Sequence, residues 1–330
     1  MNVAQPNHST QRTIRAAVVA NPGVVEMRHV AMPEPGSGEM RVRVEGCGVC
    51  ASNLAVWEGK PWFTYPLEPG AMGHEAFGWI DALGRDTDGW NVGQRVAILS
   101  NHAYAEYDVA PIGSAIALPK ALDGQPLLGE PLGCAMNIFR RSEITAGSTV
   151  AIIGIGFLGA LLTQLASGAG ARVIALARRP FALKLARSRG AAETVPLDDR
   201  WAAIERVKEL TGGRFCDVVI EAVGKQEPLD VAGEITQERG RLVIAGYHQD
   251  GPRQVNMQLW NWRGLDVINA HERDPQMYID GMREAVEAVA AGRIDPAPLC
   301  THRLPLEELG TALDLTRDRP DGFLKALIVP

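Results

Sequence analysis

Two different rhythms of hydrophobic positions follow each other along the chain. From residue 14 to about residue 118, short β-branched runs are separated by glycine, proline and asparagine, which is typical of an irregular, strand-rich domain. From about residue 149, apolar strand-like runs alternate with apolar helical runs. This alternation predicts a parallel sheet that helices cover on both faces. The expected fold class is therefore α/β, with a doubly wound parallel sheet and a second, strand-rich domain.

The two ends of the chain complete this division. Residues 1–12 are polar and lack an apolar run, so we expect a flexible tail and neither a signal peptide nor a membrane anchor. An amphipathic helix over residues 277–291 and strand-like pieces ending at residues 324–329 predict a return to the first domain. The domains expected are a strand-rich domain over residues 13–135, a nucleotide-binding domain over residues 136–272 and a return segment over residues 273–330.

Composition and charge narrow the class of partner. The 330 residues are 46% hydrophobic and 22% charged, which is ordinary for a globular enzyme of two domains. The formal net charge of −6 gives no positive field that would attract nucleic acid or an anionic membrane surface, so a small-molecule partner is expected. The five cysteines are odd in number and scattered, which favours reduced thiols over a disulfide framework. We therefore expect a cytoplasmic protein.

A glycine-rich segment lies between a predicted strand and a predicted helix. It contains Gly154, Gly156 and Gly159, with Phe157 and Leu158 at the start of a helix rich in leucine and alanine. Such glycines allow a tight turn, a close approach of the backbone to a pyrophosphate and close packing of helix on strand. The helix N-terminus would face the phosphates. This context favours dinucleotide binding over a merely structural turn.

The residues at the end of the next predicted strand indicate which dinucleotide the protein binds. An NAD site presents an acidic residue about 20 positions after the glycines, where it holds the ribose 2′-hydroxyl. This chain has Arg178 and Arg179 there and no carboxylate. Guanidinium groups pair with a 2′-phosphate through forked hydrogen bonds, so NADP(H) is favoured over NAD(H). The alternative is that both arginines are a solvated helix cap.

Residue types that bind metals occur in three separate segments. Cys50 offers a thiolate, and the adjacent His74 and Glu75 offer an imidazole and a carboxylate. Glu130 and Cys134 add two donors shortly before the nucleotide-binding region. A catalytic zinc needs three protein ligands and one open position, and it accepts sulfur, nitrogen and oxygen donors. The set predicts a zinc site in which Glu130 and Cys134 compete for one position; the one that does not bind would be an ordinary residue, and for Cys134 a small buried one.

These segments, in this order, resemble the zinc-containing medium-chain dehydrogenases over nearly the whole chain. The Glu-Pro-Leu sequence at residues 130–132 is similar to the sorbitol and polyol dehydrogenase branch. The resemblance implies that Cys50 and His74 are the first two zinc ligands. It further implies that Glu75 is the neighbouring carboxylate that approaches the metal and that Glu130 occupies the third-ligand position.

The same resemblance implies further roles and a fold. Ser52 matches the hydroxyl that accepts the substrate proton, which makes it a catalytic residue together with Cys50, His74 and Glu75. The loops that line the nicotinamide half of the cofactor fall at Glu221, Ala222 and Gly246. The implied architecture is a Rossmann domain with a GroES-like catalytic domain, and the implied assembly is a homodimer or homotetramer.

Three departures from the family pattern change the expected site. No cysteine lies between residues 84 and 107, where the family's second, structural zinc is bound, so we expect one catalytic ion only. Asn53 replaces the usual aspartate, which predicts that a neutral amide would make the supporting bond to His74. Ala55 replaces a proton-relay histidine, so the relay would run through Ser52, the cofactor ribose and water.

The substrate pocket is the least specified part of the sequence. Trp57 and Trp62 belong to an aromatic cluster that could line the cleft or equally lie in the core. His271 and Arg273 belong to an unusually polar stretch near the expected pocket mouth. The stretch favours a polar secondary alcohol, such as a polyol or cyclitol, and its ketone.

The function expected from these features is a zinc-dependent, NADP(H)-preferring alcohol dehydrogenase. One alternative is a zinc-free NADPH-dependent quinone or enoyl reductase, although such proteins generally lack the metal-binding pattern. Another is a non-catalytic dinucleotide-binding protein, although sensing needs no zinc site. A redox role for the Cys47 and Cys50 pair has no thioredoxin-like context to support it.

Overall fold

The computed structural model describes residues 12–330, so nearly all of the tail predicted over residues 1–12 lies outside the described residues. The strands are β1 (Thr13–Asn21), β2 (Val24–Ala31), β3 (Glu39–Gly48), β4 (Glu75–Leu83), β5 (Arg95–Ile98), β6 (Tyr107–Pro111), β7 (Ala115–Ala117), β8 (Thr149–Ile153), β9 (Arg172–Ala177), β10 (Glu193–Pro196), β11 (Cys216–Glu221), β12 (Thr236–Ile244), β13 (Asp266–Asn269), β14 (His302–Pro305) and β15 (Ala326–Val329). The helices are α1 (Leu54–Trp57), α2 (Gly129–Ser142), α3 (Phe157–Gly168), α4 (Pro180–Ser188), α5 (Arg200–Leu210), α6 (Gln226–Ile235), α7 (Met257–Arg263), α8 (Pro275–Ala290) and α9 (Leu309–Asp318).

The strand-rich region forms a sheet with the order β14-β15-β3-β4-β5-β7, and β6 pairs with β3. The pairings of β3 with β4, β6 and β15 are antiparallel, which fits the short runs separated by turn residues in the sequence. β15 joins through Leu327 opposite Gly48 and Ile328 opposite Cys47. The end of the chain therefore lies beside the strand that leads into Cys50.

The second sheet is parallel in all its pairings and has the order β10-β9-β8-β11-β12-β13. Its central strand β8 is almost entirely buried, as expected for a strand that helices cover on both faces. The strand order reverses between β8 and β11, and ligands bind at such a switch point, beyond the carboxyl ends of the strands. The predicted fold class, a doubly wound parallel sheet plus a strand-rich domain, is confirmed.

The helix α2 connects the two sheets. It spans the boundary that the sequence predicted between residues 135 and 136, and it packs against both α8 and α3. One apolar cluster contains Phe77 from the strand-rich sheet, Leu132 from α2, Leu161 from α3 and Met282 from α8. The first helix of the predicted return segment thus belongs to the core beside the parallel sheet, because hydrophobic burial does not end where the sequence rhythm changes.

The contact between α2 and α8 is close because both helices have a glycine at the crossing. A Cβ on Gly281 would lie 2.7 Å from the carbonyl oxygen of Gly133, and a Cβ on Gly133 would lie 2.9 Å from the carbonyl oxygen of Tyr278. α8 begins at Pro275, after Asp274, whose side chain accepts a hydrogen bond from the Gln276 N–H.

The helix α9 precedes the last strand and ends at a residue with left-handed backbone geometry. It buries Leu309, Leu313 and Thr316 against the strand-rich domain. Arg319 follows it at φ 47°, and its N–H donates to the Leu315 carbonyl. This turn leads the chain from α9 toward β15. No helix of residues 12–330 has both the length and the apolar character that a bilayer-spanning segment needs.

Candidate active site

Antiparallel pairing of β3 with β4 brings three donor residues together. Cys50 follows β3 and precedes a 3-10 turn, whereas His74 and Glu75 lie where β4 begins. Gly48 at the end of β3 pairs with Glu75, so the two strand ends are neighbours. One ligand atom each from Cys50, His74 and Glu75 lies within 4.8 Å of the others.

Glu75 is fully buried and forms an ion pair with Lys325. The Lys325 Nζ lies 2.7 Å from both carboxylate oxygens and also donates to the Val49 carbonyl at 3.2 Å. The carboxylate fits only because residue 48 is glycine: a Cβ there would lie 2.0 Å from Glu75 Oε2. Lys325 was not predicted from the sequence, where its one signal is a lysine inside the apolar run over residues 323–329.

His74 has a defined orientation and an altered proton affinity. Its Nδ1 donates to the Met72 carbonyl at 2.8 Å, which leaves Nε2 available as a ligand atom. Burial lowers the pKa of His74, but the hydrogen bond and charge of Cys50 and the charges of Glu130 and Glu75 outweigh it and raise the pKa to about 10. The negative charge around His74 therefore favours a cation at this point.

The expected bond between Asn53 and His74 is wrong. The Asn53 Nδ2 donates to the Met72 carbonyl at 3.2 Å and to the Tyr104 hydroxyl oxygen at 2.8 Å. Both His74 and Asn53 thus use the same carbonyl acceptor, and the ring nitrogen needs no side-chain partner. Ser52 donates from its hydroxyl to Asn53 Oδ1 at 3.3 Å.

Glu130 and Cys134 lie one turn apart at the start of α2, with the Cys134 thiol donating to Glu130 Oε1 at 3.2 Å. Glu130 is outside the group of three close donors. Burial raises the pKa of Glu130, against the opposing charge of His74. Burial and the charge of Glu130 raise the pKa of the Cys134 thiol. Both residues therefore border the donor group. Glu130 is the better candidate to approach a metal there, because the Cys134 thiol carries the proton that it donates to the Glu130 carboxylate.

The donor set fits zinc on its own chemistry. It combines sulfur, nitrogen and oxygen atoms within a small space, and such mixed ligation suits this metal. The imidazole is fixed by a backbone carbonyl on its other nitrogen, as metal-binding histidines usually are.

The glycine-rich segment after β8 has the geometry expected of a dinucleotide turn. Gly154 has φ +95°, and a Cβ there would lie 2.4 Å from the Val223 side chain. A Cβ on Gly159 would lie 2.0 Å from the Gly154 carbonyl oxygen, whereas one on Gly156 would meet nothing within 4 Å. α3 begins at Phe157 without a side-chain cap, so no capping side chain occupies its first N–H groups, including that of Leu158.

Two contacts bring the donor group and the glycine turn to one cleft. The Lys325 ammonium lies 5.1 Å from the ring centroid of Phe157, the first residue of α3. The Gln249 side chain, in the loop after β12, donates to the Ala51 carbonyl at 3.1 Å. The residue beside Cys50 and the partner of Glu75 are therefore both in contact with the nucleotide-binding region.

Glu221 organises the loops that follow β11 and β12. It is fully buried, and its Oε1 accepts from the N–H groups of Val223 at 2.7 Å and Gly224 at 2.9 Å. Its Oε2 lies 3.1 Å from Nε2 of His248, a residue that was not singled out from the sequence. Glu221 therefore supports the loop that contains Ala222.

Gly246 lies where the loops after β11 and β12 touch. Its N–H donates to the Glu221 carbonyl at 2.7 Å. A Cβ on Gly246 would lie 2.2 Å from the Gly224 nitrogen. Glycine is required here for the close approach of two loops.

The two predicted phosphate-binding arginines have different environments. Arg178 is exposed. Arg179 instead donates from Nη1 to the carbonyls of Phe323 at 2.7 Å, Pro320 at 3.2 Å and Arg319 at 3.4 Å. Arg179 thus joins the two domains, and Arg178 is the one whose side chain is open to a ligand.

The residues considered for the substrate pocket occupy separate environments. Trp57 lies in the core of the strand-rich domain, with its indole N–H donating to Asp314 at 2.9 Å. Trp62 is 61% exposed. His271 stacks on Tyr247 with ring centroids 5.4 Å apart, and Arg273 is exposed nearby in sequence. For Trp57 the structure agrees with the core interpretation.

Comparison with known proteins identifies the family. The description "Zinc-binding dehydrogenase" matches residues 158–288, and "Alcohol dehydrogenase GroES-like domain" matches residues 36–120. Sorbitol dehydrogenase of Bacillus subtilis is 24% identical over 98% of this chain and 99% of its own. The 2-dehydro-3-deoxy-L-galactonate 5-dehydrogenase of Pseudoalteromonas atlantica is 27% identical over 92% and 94%.

A solved structure gives the same result. A zinc-binding dehydrogenase from Sinorhizobium meliloti 1021, bound to NADP, superposes with a TM-score of 0.83 at 28% identity, covering 97% of this chain and 100% of that one. The two family descriptions together span more than half of the chain and include both domains. The chain belongs to the zinc-type medium-chain dehydrogenase/reductase family.

Proposed function

We propose that this protein is a zinc-dependent, NADP(H)-preferring dehydrogenase that interconverts a polar secondary alcohol, of the polyol or cyclitol type, and its ketone. One observation carries the proposal: the donor atoms of Cys50, His74 and Glu75 lie within 4.8 Å of one another. The Lys325 that pairs with Glu75 also contacts Phe157 at the dinucleotide turn. A metal and a nicotinamide would therefore meet in one cleft.

Cys50, His74 and a carboxylate, Glu75 or Glu130, would hold the metal. A zinc ion there supplies Lewis acidity that lowers the pKa of a substrate hydroxyl. Among residues 12–330 no second group of three such donors comes equally close, which supports a single catalytic ion.

Ser52 is the residue that we propose as proton acceptor. Its own hydroxyl proton is directed to Asn53 Oδ1, so the lone pairs of Oγ are free to accept a proton from a substrate hydroxyl. Ala55 offers no imidazole to carry the proton onward, so a ribose hydroxyl of a bound cofactor, together with water, would supply the next acceptor. The bound nicotinamide supplies the hydride acceptor or donor.

The preference for NADP(H) rests on the end of β9. No carboxylate follows the strand directly, and Arg178 is exposed there. The Sinorhizobium meliloti relative was solved with NADP bound. We expect Arg178→Asp to lower kcat/KM for NADP(H) by about a hundredfold and to change that for NAD(H) little. If the ratio of kcat/KM for NADP(H) to kcat/KM for NAD(H) is unaltered in this variant, this part of the proposal fails.

The proposed substrate class is supported by the names of two relatives and by the polar stretch that contains His271 and Arg273. The two relatives described above are named for sorbitol and for a deoxy-galactonate, both polar hydroxy compounds. His271 and Arg273 add polar groups beyond β13.

By analogy with the family we propose that the protein is a homodimer or homotetramer and that it is located in the cytoplasm.

The decisive experiment combines metal analysis with a turnover screen. Purified protein should contain about one zinc per chain and should oxidise polyols or cyclitols with NADP, or reduce their ketones with NADPH. Metal-free protein that reduces quinones or enoyl substrates would favour a zinc-free reductase. Tight NADPH binding without turnover on any alcohol or carbonyl would favour the non-catalytic alternative.

Variants of two donor residues, compared with a cysteine control, distinguish loss of the metal site from general damage to the fold. Cys50→Ala and His74→Ala should lose zinc and turnover together while far-UV circular dichroism is unchanged. Cys216→Ala is the control, because Cys216 starts β11 at the opposite end of the parallel sheet from the cleft. A zinc-free Cys50→Ala protein with full activity would end the proposal.

A further inference from the structure

The loop after β12 contacts both walls of the cleft. The Gln249 side chain reaches across and donates to the Ala51 carbonyl at 3.1 Å, and Ser52 follows Ala51 directly in the chain. On the opposite side of the same loop, the Gly246 N–H donates to the Glu221 carbonyl at 2.7 Å. The position of this loop therefore decides where Gln249 meets the turn that contains Ser52.

His248 joins the loop to a buried carboxylate. Its Nε2 lies 3.1 Å from Glu221 Oε2, and its Nδ1 lies 2.8 Å from the Nε of Arg253. A guanidinium N–H can only donate, so Nδ1 is the acceptor and carries no proton. The proton is then on Nε2, which donates it to the carboxylate. The imidazole is therefore neutral and in a single tautomer, and both of its nitrogens are occupied.

Glu221 depends on this imidazole for one of its two oxygens. Oε1 accepts from the N–H groups of Val223 and Gly224. Among residues 12–330, His248 provides the one hydrogen bond that Oε2 accepts. Because a fully buried carboxylate is costly unless its oxygens are satisfied, Glu221 and His248 hold each other in place.

The outer side of His248 is closed by a group of charges. Arg253 donates from Nη2 to the Gly224 carbonyl at 2.9 Å and forms an ion pair with Asp250. Lys225 lies 2.6 Å from the same aspartate. Gly224 and Lys225 belong to the loop after β11, so the two loops are joined on both sides of the His248 ring.

These contacts also place the neighbouring residue. His248 and Gln249 are adjacent in the chain, so a displacement of the imidazole moves the side chain that reaches the Ala51 carbonyl. Both ring nitrogens of His248 are used within the nucleotide domain, so its effect on the other domain passes through Gln249. Reaction rates are sensitive to such placement, and a shift of about 1 Å can cost on the order of a hundredfold.

We propose that His248 is a positioning residue for hydride transfer. It fixes the loop after β12 so that Gln249 holds the turn containing Ser52 at the correct distance from the nicotinamide. The inference rests on the proposed function and adds to it a residue that acts through its neighbour. Loss of His248 should therefore lower the turnover rate while zinc and NADPH are still bound.

The test compares two substitutions in the zinc-loaded full chain. His248→Gln keeps a donor for Glu221 and an acceptor for Arg253 on one amide, whereas His248→Leu removes both. Steady-state kinetics gives kcat and KM, fluorescence titration gives the dissociation constant of NADPH, and metal analysis gives the zinc content. The control is His29→Leu, because His29 is exposed on β2 in the other domain.

A second measurement does not depend on turnover. The Asn53 N–H donates to the Cys50 carbonyl in the turn that contains Ser52, so its hydrogen–deuterium exchange reports how firmly this turn is held. The turn belongs to the other domain from His248. A purely local effect of the imidazole would leave this exchange unchanged.

We expect His248→Leu to lower kcat about tenfold and to change KM and the dissociation constant of NADPH by less than about twofold. Exchange of the Asn53 N–H should become faster in the same variant. His248→Gln should keep kcat within about threefold of the unaltered protein, and the His29 control should not differ from it. Unchanged kcat in folded His248→Leu, or a fall in kcat with unchanged Asn53 exchange, overturns the inference.

Arg253→Met takes the place of His248→Leu if the latter does not fold. It removes the hydrogen bond to Nδ1 and leaves the imidazole beside Glu221, so kcat should fall about threefold and Asn53 exchange should again become faster. Unchanged values of both overturn the inference. If the unaltered protein turns over no alcohol or carbonyl compound, the proposed function fails, while the exchange measurement still decides whether His248 restrains the turn across the cleft.

Discussion

The metal-donor group and the glycine turn present their chemistry in opposite ways. In the strand-rich domain the functional atoms belong to side chains, those of Cys50, His74 and Glu75. In the nucleotide domain they belong to the backbone, and Gly156 and Gly159 contribute by having no side chain. The first region should therefore be damaged by removing atoms and the second by adding them.

The largest effect is expected from removing the partner of Glu75. Lys325→Ala would leave a fully buried carboxylate without its counter-ion and should lower the free energy of unfolding by about 3 kcal/mol. Urea unfolding monitored by fluorescence measures the change. Lys208→Ala is the control, since that lysine pairs with Glu205 on the exposed face of α5 and should change stability little.

A second substitution tests whether charge is the reason. Adding Glu75→Gln to Lys325→Ala removes the uncompensated charge and should restore part of the lost stability. If the double variant is less stable than Lys325→Ala alone, packing and not charge accounts for the effect.

The next effect comes from adding one methyl group to the glycine turn. The Cβ of Gly159→Ala would lie 2.0 Å from the Gly154 carbonyl oxygen, so the helix must shift and stability should fall by about 2 kcal/mol. Thermal and urea unfolding check this. Gly168→Ala, at the end of the same helix with nothing within 4 Å, should be neutral or slightly stabilising. Equal losses for both variants would contradict the steric explanation.

A smaller and more selective effect is expected at Gly156. A Cβ there meets no protein atom within 4 Å and the backbone is not left-handed, so Gly156→Ala should keep its stability. It should nevertheless weaken NADPH binding by about tenfold, because the methyl group would occupy space that the pyrophosphate needs. Fluorescence titration measures the affinity, and undiminished binding would show that the backbone does not approach the cofactor at this residue.

The smallest effect is expected at the contact between the two regions. Gln249→Ala removes the hydrogen bond to the Ala51 carbonyl and should cost about 1 kcal/mol or less in stability. The turn that contains Ser52 would be held less firmly, so kcat should fall more than the affinity for NADPH. Steady-state kinetics beside a binding titration separates the two, and a loss confined to NADPH binding would count against a role in positioning.

Features that depend on neighbouring residues were predictable from the sequence. The alternation of strand and helix predicted the parallel sheet, because burial on both faces requires continuous apolar strands. The glycine spacing predicted the turn after β8. The motifs around Cys50 and His74 predicted one shared metal site. The antiparallel pairing of β3 and β4 makes the strand ends next to these two residues neighbours.

Features that depend on contacts between residues far apart in the sequence were not predictable from it. Lys325 is 250 positions from Glu75, and no local pattern indicates the pairing. Arg179 was expected at a phosphate, but its guanidinium reaches carbonyls about 140 positions away. The expected bond from Asn53 to His74 does not form, because both side chains bond to the backbone carbonyl of Met72 instead. Side-chain direction in these cases is decided by tertiary packing.

The glycine crossing of α2 and α8 has a consequence for building hybrid enzymes. Gly133 and Gly281 leave no room for even one added carbon, so the two helices are matched to each other by shape. Glu130 lies on the first turn of α2 and moves with that helix. A chimera that took α2 from one parent and α8 from another would displace this carboxylate, so the two helices must be inherited as a pair.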